Sequence, residues 1–220
     1  MGFLRIVARE PVPVLRSRRL LLRTPRLGDH AEWAALRAAS RNFLEPWEPI
    51  WPEDDLERPA FRRRIRRYAA EIRDGVAYPW FVFDAGGRDL MGGVTLAQVR
   101  RGVTQTGTIG YWMGASHAGR GVMTEAVGLV ARHAFGTLGL HRLEASCLPE
   151  NERSIRLLEK VGFCREGLAR RYLCIAGAWR DHLLWGLLAD DPLYPGGDGG
   201  SGDAARTVAP VRSDAVDSGT

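Results

Sequence analysis

The stretch that could do chemistry runs from Ile109 to Ala126: Ile-Gly-Tyr-Trp-Met-Gly-Ala-Ser-His-Ala-Gly-Arg-Gly-Val-Met-Thr-Glu-Ala. An apolar strand ends, Gly119, Arg120 and Gly121 form a short loop, and a helix begins at once. Glycines let the backbone approach a ligand closely and point successive N–H groups at it. The first N–H groups of a helix have no internal partner, and the helix dipole favours negative charge. The spacing therefore predicts a cradle for a phosphate-bearing ligand, with Arg120 adding positive charge. A plain strand-to-helix turn can carry the same Gly-x-Gly, and at this point both readings stand.

Other chemistries lack their residues. There is no GxxxxGK[ST] and no GxGxxG, which disfavours nucleotide hydrolysis and dinucleotide binding. Ser116-His117 lacks the GxSxG elbow of serine hydrolases. HExxH is absent, and Asp181 and His182, adjacent on a strand, point to opposite faces and form no direct dyad. Cys147, Cys164 and Cys174 show no CxxC and no Cys/His quartet, so no metal site is expected. Three scattered cysteines do not make a disulfide framework. Each reads as a small buried hydrophobe in a reduced, cytoplasmic protein.

The elements that must position this loop follow from periodicity. Arg18 to Thr24 alternates as a strand, with Leu20 and Leu22 on one face and Leu21 on the other. Asp29 to Glu32 has the form of a capping box opening a helix with Trp33 and Leu36 on one side. Asn42 to Pro52, with three prolines, reads as loop. Glu57 to Asp74 reads as an amphipathic helix. Phe61, Ile65, Tyr68, Ala69 and Ile72 form its apolar face, and Arg62, Arg63, Arg64, Arg66 and Arg67 its basic outer face. Strands are expected at Pro79–Asp84, Asp89–Val99, Thr106–Met113 and His141–Leu148. Helices are expected at Thr124–Gly136 and Asn151–Lys160, and a closing hairpin at Gly167–Ile175 with Trp179–Leu188. This order predicts a mixed α/β sheet rather than the strict alternation of a dinucleotide fold.

The chain has 220 residues, 45% hydrophobic and 26% charged, as in an ordinary soluble domain. No apolar run approaches the roughly 18 residues of a membrane span, and Arg5 and Arg9 break up any secretory leader. The net charge is +5, and 30 of the 31 basic residues are arginine, Lys160 being the exception. Six Asp and only two Arg follow Ala189. The body is therefore more basic than the whole, which favours anionic ligands or RNA. Residues 18–190 are expected to form one domain. Residues 191–220, rich in Gly, Ser and Asp from Pro195 on, are expected to form a flexible tail.

The loop and its flanks resemble the cofactor-binding motif of the GNAT N-acetyltransferases, Gln/Arg-x-x-Gly-x-Gly/Ala. Gly121 matches strictly, while Ala118 and Met123 depart. The likeness extends to the ribosomal-protein-alanine acetyltransferases, the Rim-type branch. Asn42-Phe43-Leu44-Glu45-Pro46-Trp47-Glu48-Pro49 resembles that branch's early Leu-x-Pro-Trp-Glu-Pro segment. Pro149 to Ser154 resembles its Pro-x-Asn-x-x-Ser. Gly162-Phe163 with Glu166-Gly167, and Tyr172 to His182 with Gly177, Trp179 and Arg180, resemble its closing segments.

The resemblance implies a mostly antiparallel sheet, flanked by helices, that splays between its fourth and fifth strands, Thr106–Met113 and His141–Leu148. Acetyl-CoA is expected in the gap as cosubstrate. Its pantetheine would lie along Tyr111, Trp112 and Met113, and its pyrophosphate on Gly119, Arg120, Gly121, Val122, Met123 and Thr124. Glu144, on a strand bordering the gap, is the expected general base; a surface or salt-bridged role is the alternative. Glu125, opening a helix, reads as structural. Relatives place a tyrosine acid where this chain has Leu158, so Ser154 is the expected substitute, or a first-turn cap. Asn151 is expected to cap its helix and to touch pantetheine. Trp47 and Tyr172 are expected to wall the acceptor pocket, or simply to pack.

The implied reaction is direct acetyl transfer to the N-terminal α-amine of a protein, with a ribosomal protein's alanine as the favoured acceptor. Small-amine acetylation and non-catalytic ribosome or RNA binding through the Arg62–Arg67 face are the alternatives. The same face could dock an enzyme on the ribosome. No membrane partner is expected, and a homodimer is left open.

Overall fold

Alternation along the strands decides which way each side chain points. In the computed structural model, which describes residues 13–193, Leu20 and Leu22 of β2 (Leu20–Arg23) join one apolar cluster and Leu21 joins another. Trp80 and Val82 of β3 (Tyr78–Asp84) follow the first pair, and Phe81 and Phe83 follow the second. The sheet is thus a middle layer with apolar side chains on both faces.

One face is covered by α4 (Val122–Gly136) and α5 (Glu152–Val161), through Ala126, Val127, Val130, Leu158 and Val161. The other is covered by α1 (His30–Ala39) and α3 (Arg58–Asp74), where Trp33 and Phe61 stack with ring centres 4.8 Å apart. Leu21 is buried because these two helices cover its face.

Among the described residues the sheet has eight strands, in the order β1-β2-β3-β4-β5-β6-β8-β7. The remaining strands are β1 (Leu15–Arg16), β4 (Leu90–Arg100), β5 (Thr106–Met113), β6 (Arg142–Cys147), β7 (Cys164–Ile175) and β8 (Ala178–Leu188). Every pairing is antiparallel except β5 with β6. Helix α4 connects that parallel pair, as a parallel connection requires. The short β1 makes the splaying strands fifth and sixth rather than fourth and fifth.

Four local expectations need correction. The Asp29–Glu32 box does not form: Asp29 instead accepts the Arg26 N–H and both guanidinium nitrogens of Arg23, while Glu32 accepts the Leu90 N–H. Residues 42–52 are not all loop, because α2 (Arg41–Leu44) and a 3₁₀ turn at Glu45–Trp47 occupy the first half. Pro46 in the first turn suits its fixed φ. The arginine face of α3 is not wholly outward, since Arg64 lies over the Trp33 ring and pairs with Asp55; Ala69, conversely, is exposed. Of the three cysteines, only Cys147 is buried; Cys164 and Cys174 lie exposed on the edge strand β7. The tail expected from 195 onward lies outside the described residues.

Candidate active site

The parallel β5–β6 ladder stops early. Thr106, Gly107 and Thr108 pair with Arg142, Leu143 and Glu144, and no pairing follows. β5 continues to Met113 hydrogen-bonded only to β4, and β6 continues to Cys147 bonded only to β8. From Ile109 onward the two strands therefore present unpaired backbone edges across a gap. Backbone groups left unpaired in a sheet interior call for another partner. The gap opens into a groove of about 530 Å³.

One end of the groove is the glycine loop. Gly119 (φ 77°) and Gly121 (φ 73°) take left-handed conformations that other residues resist. A Cβ at Gly119 would meet nothing within 4 Å, and one at Gly121 would meet only Arg19 Nη2 at 4.0 Å, so the backbone faces open space. Gly121 is the N-cap of α4, and no side chain caps that end. Free N–H groups of a 15-residue helix thus point at the loop, which fits a phosphate-bearing ligand.

Cations stand close by. Arg19 is held by Glu125 at 2.5 and 2.8 Å. Arg153, Arg156 and Lys160 of α5 line the opposite wall. Arg120 is exposed and lies between lining residues without being one itself. Val122, Met123 and Thr124 line the groove as expected. Glu125 is structural: it is buried and takes Arg19.

At the centre, Tyr111 from β5 and Ser154 from α5 meet across the gap, hydroxyl to hydroxyl, at 2.5 Å. Asn151 caps α5 by accepting the Ser154 N–H at 3.1 Å, which fixes Ser154 on the first turn facing the groove. Burial raises the Tyr111 hydroxyl far above its ordinary range, so it stays protonated. Burial likewise pushes up the Cys147 thiol, which lines the same wall. Trp112 and Met113 line it from β5. Leu158, at the position of the relatives' tyrosine, is fully buried core.

The other side of the groove is built by residues 43–48 and the β7–β8 hairpin. Both guanidinium nitrogens of Arg37 bind the Glu48 carboxylate at 2.7 and 2.8 Å, and Trp51 Nε1 donates to it at 2.7 Å. The Glu48 carbonyl accepts the Ala176 N–H at 3.0 Å, which ties this segment to the hairpin turn. Trp47 lines the groove and is partly exposed. Tyr172 does not line it; it packs edge-on against His182, with ring centres 5.9 Å apart.

Glu144 corrects the expectation of a base. It sits opposite Thr108 in the zipped part of the seam and does not line the groove. Its carboxylate takes Arg100 at 2.9 Å and Arg142 at 3.3 Å. Arg142 in turn binds Glu166 with both terminal nitrogens. The carboxylate is ion-paired at a level where the ladder has not yet opened.

Sequence reasoning missed Arg19, the α5 cations and His182. The last was named in the closing-segment resemblance, but for chemistry it was weighed only as half of a dyad with Asp181, which turns away, accepting the Arg171 N–H. Among the described residues, no cluster could hold a metal ion and no helix is long and apolar enough to cross a membrane.

Comparison with known proteins agrees with this geometry. The family described as Acetyltransferase (GNAT) domain matches residues 19–164. The chain is similar to the Probable N-acetyltransferase YjcK of Bacillus subtilis (strain 168), 38% identical over 178 residues that cover 81% of this chain and 98% of that protein. It is similar to the ribosomal protein uS5-alanine N-acetyltransferase of Escherichia coli (strain K12), 34% identical over 185 residues covering 83% and 95%. Among solved structures it resembles Mycobacterium smegmatis RimJ in complex with CoA-disulfide. The two share 37% identity with a TM-score of 0.74, over 78% of this chain and 82% of that one.

Proposed function

We propose, since the chain belongs to the GNAT acetyltransferase family and is an N-acetyltransferase of its Rim-type branch, that it moves the acetyl group of acetyl-CoA directly onto the N-terminal α-amine of a protein, an alanine of a ribosomal protein being the favoured acceptor. The observation that carries this reading is the β5–β6 ladder ending at Thr108 and Glu144, so that a groove with two free strand edges runs to the glycine loop.

In this reading the loop residues 119–124 hold the pyrophosphate, helped by Arg120. The unpaired edge of Tyr111, Trp112 and Met113 holds the pantetheine amides, and Asn151 borders them. When bound, acetyl-CoA supplies an activated thioester carbonyl. The protein's part is to hold that carbonyl against the amine, which removes much of the entropic barrier. The Ser154 hydroxyl, backed by Tyr111, donates to the departing sulfur. An α-amine, with a reference pKa of roughly 7.7–8.0, needs only a weak base.

The acceptor side supports a polypeptide. Ile50, Tyr172, Leu173 and Trp179 are exposed around the mouth, an apolar rim suited to the first residues of a chain. Ribosome contact through α3 would rest on Arg62 and Arg66, because Arg63, Arg64 and Arg67 are paired with Asp54, Asp55 and Glu71.

The test is incubation with acetyl-CoA and a panel of peptides differing in their first residue, plus small amines, read by mass spectrometry. Acetylation of the α-amine of alanine-initiated peptides is expected. Label only on lysine side chains or only on small amines would overturn the acceptor assignment.

A further inference from the structure

With Glu144 withdrawn to the zipped seam, the groove needs another proton acceptor. Resting on the acetyl-transfer reading above, we infer that His182 is the general base that takes the proton of the acceptor amine.

His182 lines the groove yet is only 3% exposed. The β6–β8 ladder ends at Cys147 paired with Leu183. His182 is the next residue of β8, just past that end, so β6 no longer covers its inner edge. Its place is therefore between the thiol end of the groove, at Cys147 and Ser154, and the acceptor mouth, at Trp47 and Leu173. His182 Nδ1 lies 3.0 Å from the Arg180 carbonyl oxygen. A carbonyl only accepts, so in the neutral ring the hydrogen sits on Nδ1 and the lone pair on Nε2. Tyr172 packs edge-on against the ring and fixes its plane. A pinned tautomer and a fixed plane are what a positioned base requires.

The groups around it leave the role to His182. On its own strand Asp181 turns to the Arg171 amide, and Arg180 pairs with Glu150. Glu48, across the groove, is saturated by Arg37 and Trp51. Tyr111 and Cys147 are held protonated by burial. The α5 wall contributes only the cations Arg153, Arg156 and Lys160. The other imidazole, His117, lies at the glycine-loop end, with Asp89 at 3.9 Å.

The step balances without a further reactant. The ammonium N–H bond breaks and its proton passes to Nε2. The freed nitrogen lone pair forms the C–N bond, the C–S bond breaks with its electron pair going to sulfur, and the thiolate takes a proton from Ser154, which is reprotonated through water by the second proton that the new amide nitrogen sheds. His182 then returns its proton to water.

The test uses His182→Ala, His182→Asn and wild type, with whichever acceptor of the peptide and amine panel the wild type turns over. Asn can still donate to the Arg180 carbonyl but cannot act as a base. Calorimetry with coenzyme A checks that both variants keep the cofactor groove, with affinity unchanged. We expect kcat to fall about 100-fold in both variants. With an α-amine acceptor, the acid limb of kcat moves up toward the amine's own ionisation, roughly 7.7–8.0. Added imidazole restores His182→Ala at least about tenfold but leaves His182→Asn low, because only Ala vacates the ring's place. Retention of kcat within about twofold, or a loss equal at every pH with no response to imidazole, would overturn the inference. If wild type and its rescue behave as described but only with small amines, the acceptor assignment falls and His182 stands. If the wild type turns over nothing, both fall.

Discussion

The seam between β5 and β6 has two halves built from the same two strands. In the zipped half, Thr106–Thr108 against Arg142–Glu144, backbone pairs with backbone and the flanking charges neutralise one another through Arg100, Glu144, Arg142 and Glu166. In the open half, Ile109–Met113 faces Ala145–Cys147 without pairing, and the groove there is lined by the Tyr111 and Ser154 hydroxyls, the Cys147 thiol and the His182 imidazole, with Arg153, Arg156 and Lys160 on the α5 wall. The carboxylate that β6 itself carries, Glu144, belongs to the half that holds the strands together. The open half keeps the Tyr111 phenol and the Cys147 thiol, which burial holds protonated, beside the His182 ring. A carboxylate on a strand bordering a cleft is thus a poor guide to catalysis unless the strand is open at its level.

Substitutions in the two halves should differ by orders of magnitude. The largest effect is expected from Gly121→Val. A β-branched side chain at φ 73° is strained and fills the space facing the loop, so the Kd for coenzyme A should rise about 100-fold by calorimetry. Next comes Tyr111→Phe, which removes the hydroxyl 2.5 Å from Ser154 and should lower kcat about tenfold with little change in coenzyme A affinity. Glu144→Gln, in the zipped half, should leave kcat within about twofold and cost at most about 1 kcal/mol in urea unfolding, since its ion pairs are partly solvent-exposed and screened. A tenfold loss of kcat in that variant would erase the contrast between the halves.

The smallest effect is on pH dependence. Arg142 holds the Glu166 carboxyl below its usual value of 4.5. A depressed acid contributes stability that is present above about 4.5 and lost as pH falls through the lower folded value. The urea midpoint of the wild type should decline on acidification through that window, and Glu166→Gln should decline less.

Much of this was legible in the sequence because it is local. The glycine loop, the Asn151 cap with Ser154, and the alternation of β2 and β3 each follow from a few adjacent residues and hold in the structure. What depends on the register between distant strands was not legible. Glu144 was placed beside the gap because its strand borders it, but the gap opens one residue beyond Thr108. His182 was set aside because its neighbour Asp181 faces away, although its own ring lines the groove. Asp29 and Glu32 have capping residues' identities, yet Arg23 on the preceding strand and the Leu90 amide, 58 residues beyond Glu32, claim their carboxylates.

Amide hydrogen exchange with and without coenzyme A tests the central claim most directly, because it reads the two halves of the seam in one experiment. The account predicts that coenzyme A slows exchange at residues 109–113 and 119–124 and leaves 106–108 and 142–144, already paired, unchanged. Protection absent from 109–113, or appearing only outside the gap, would contradict it.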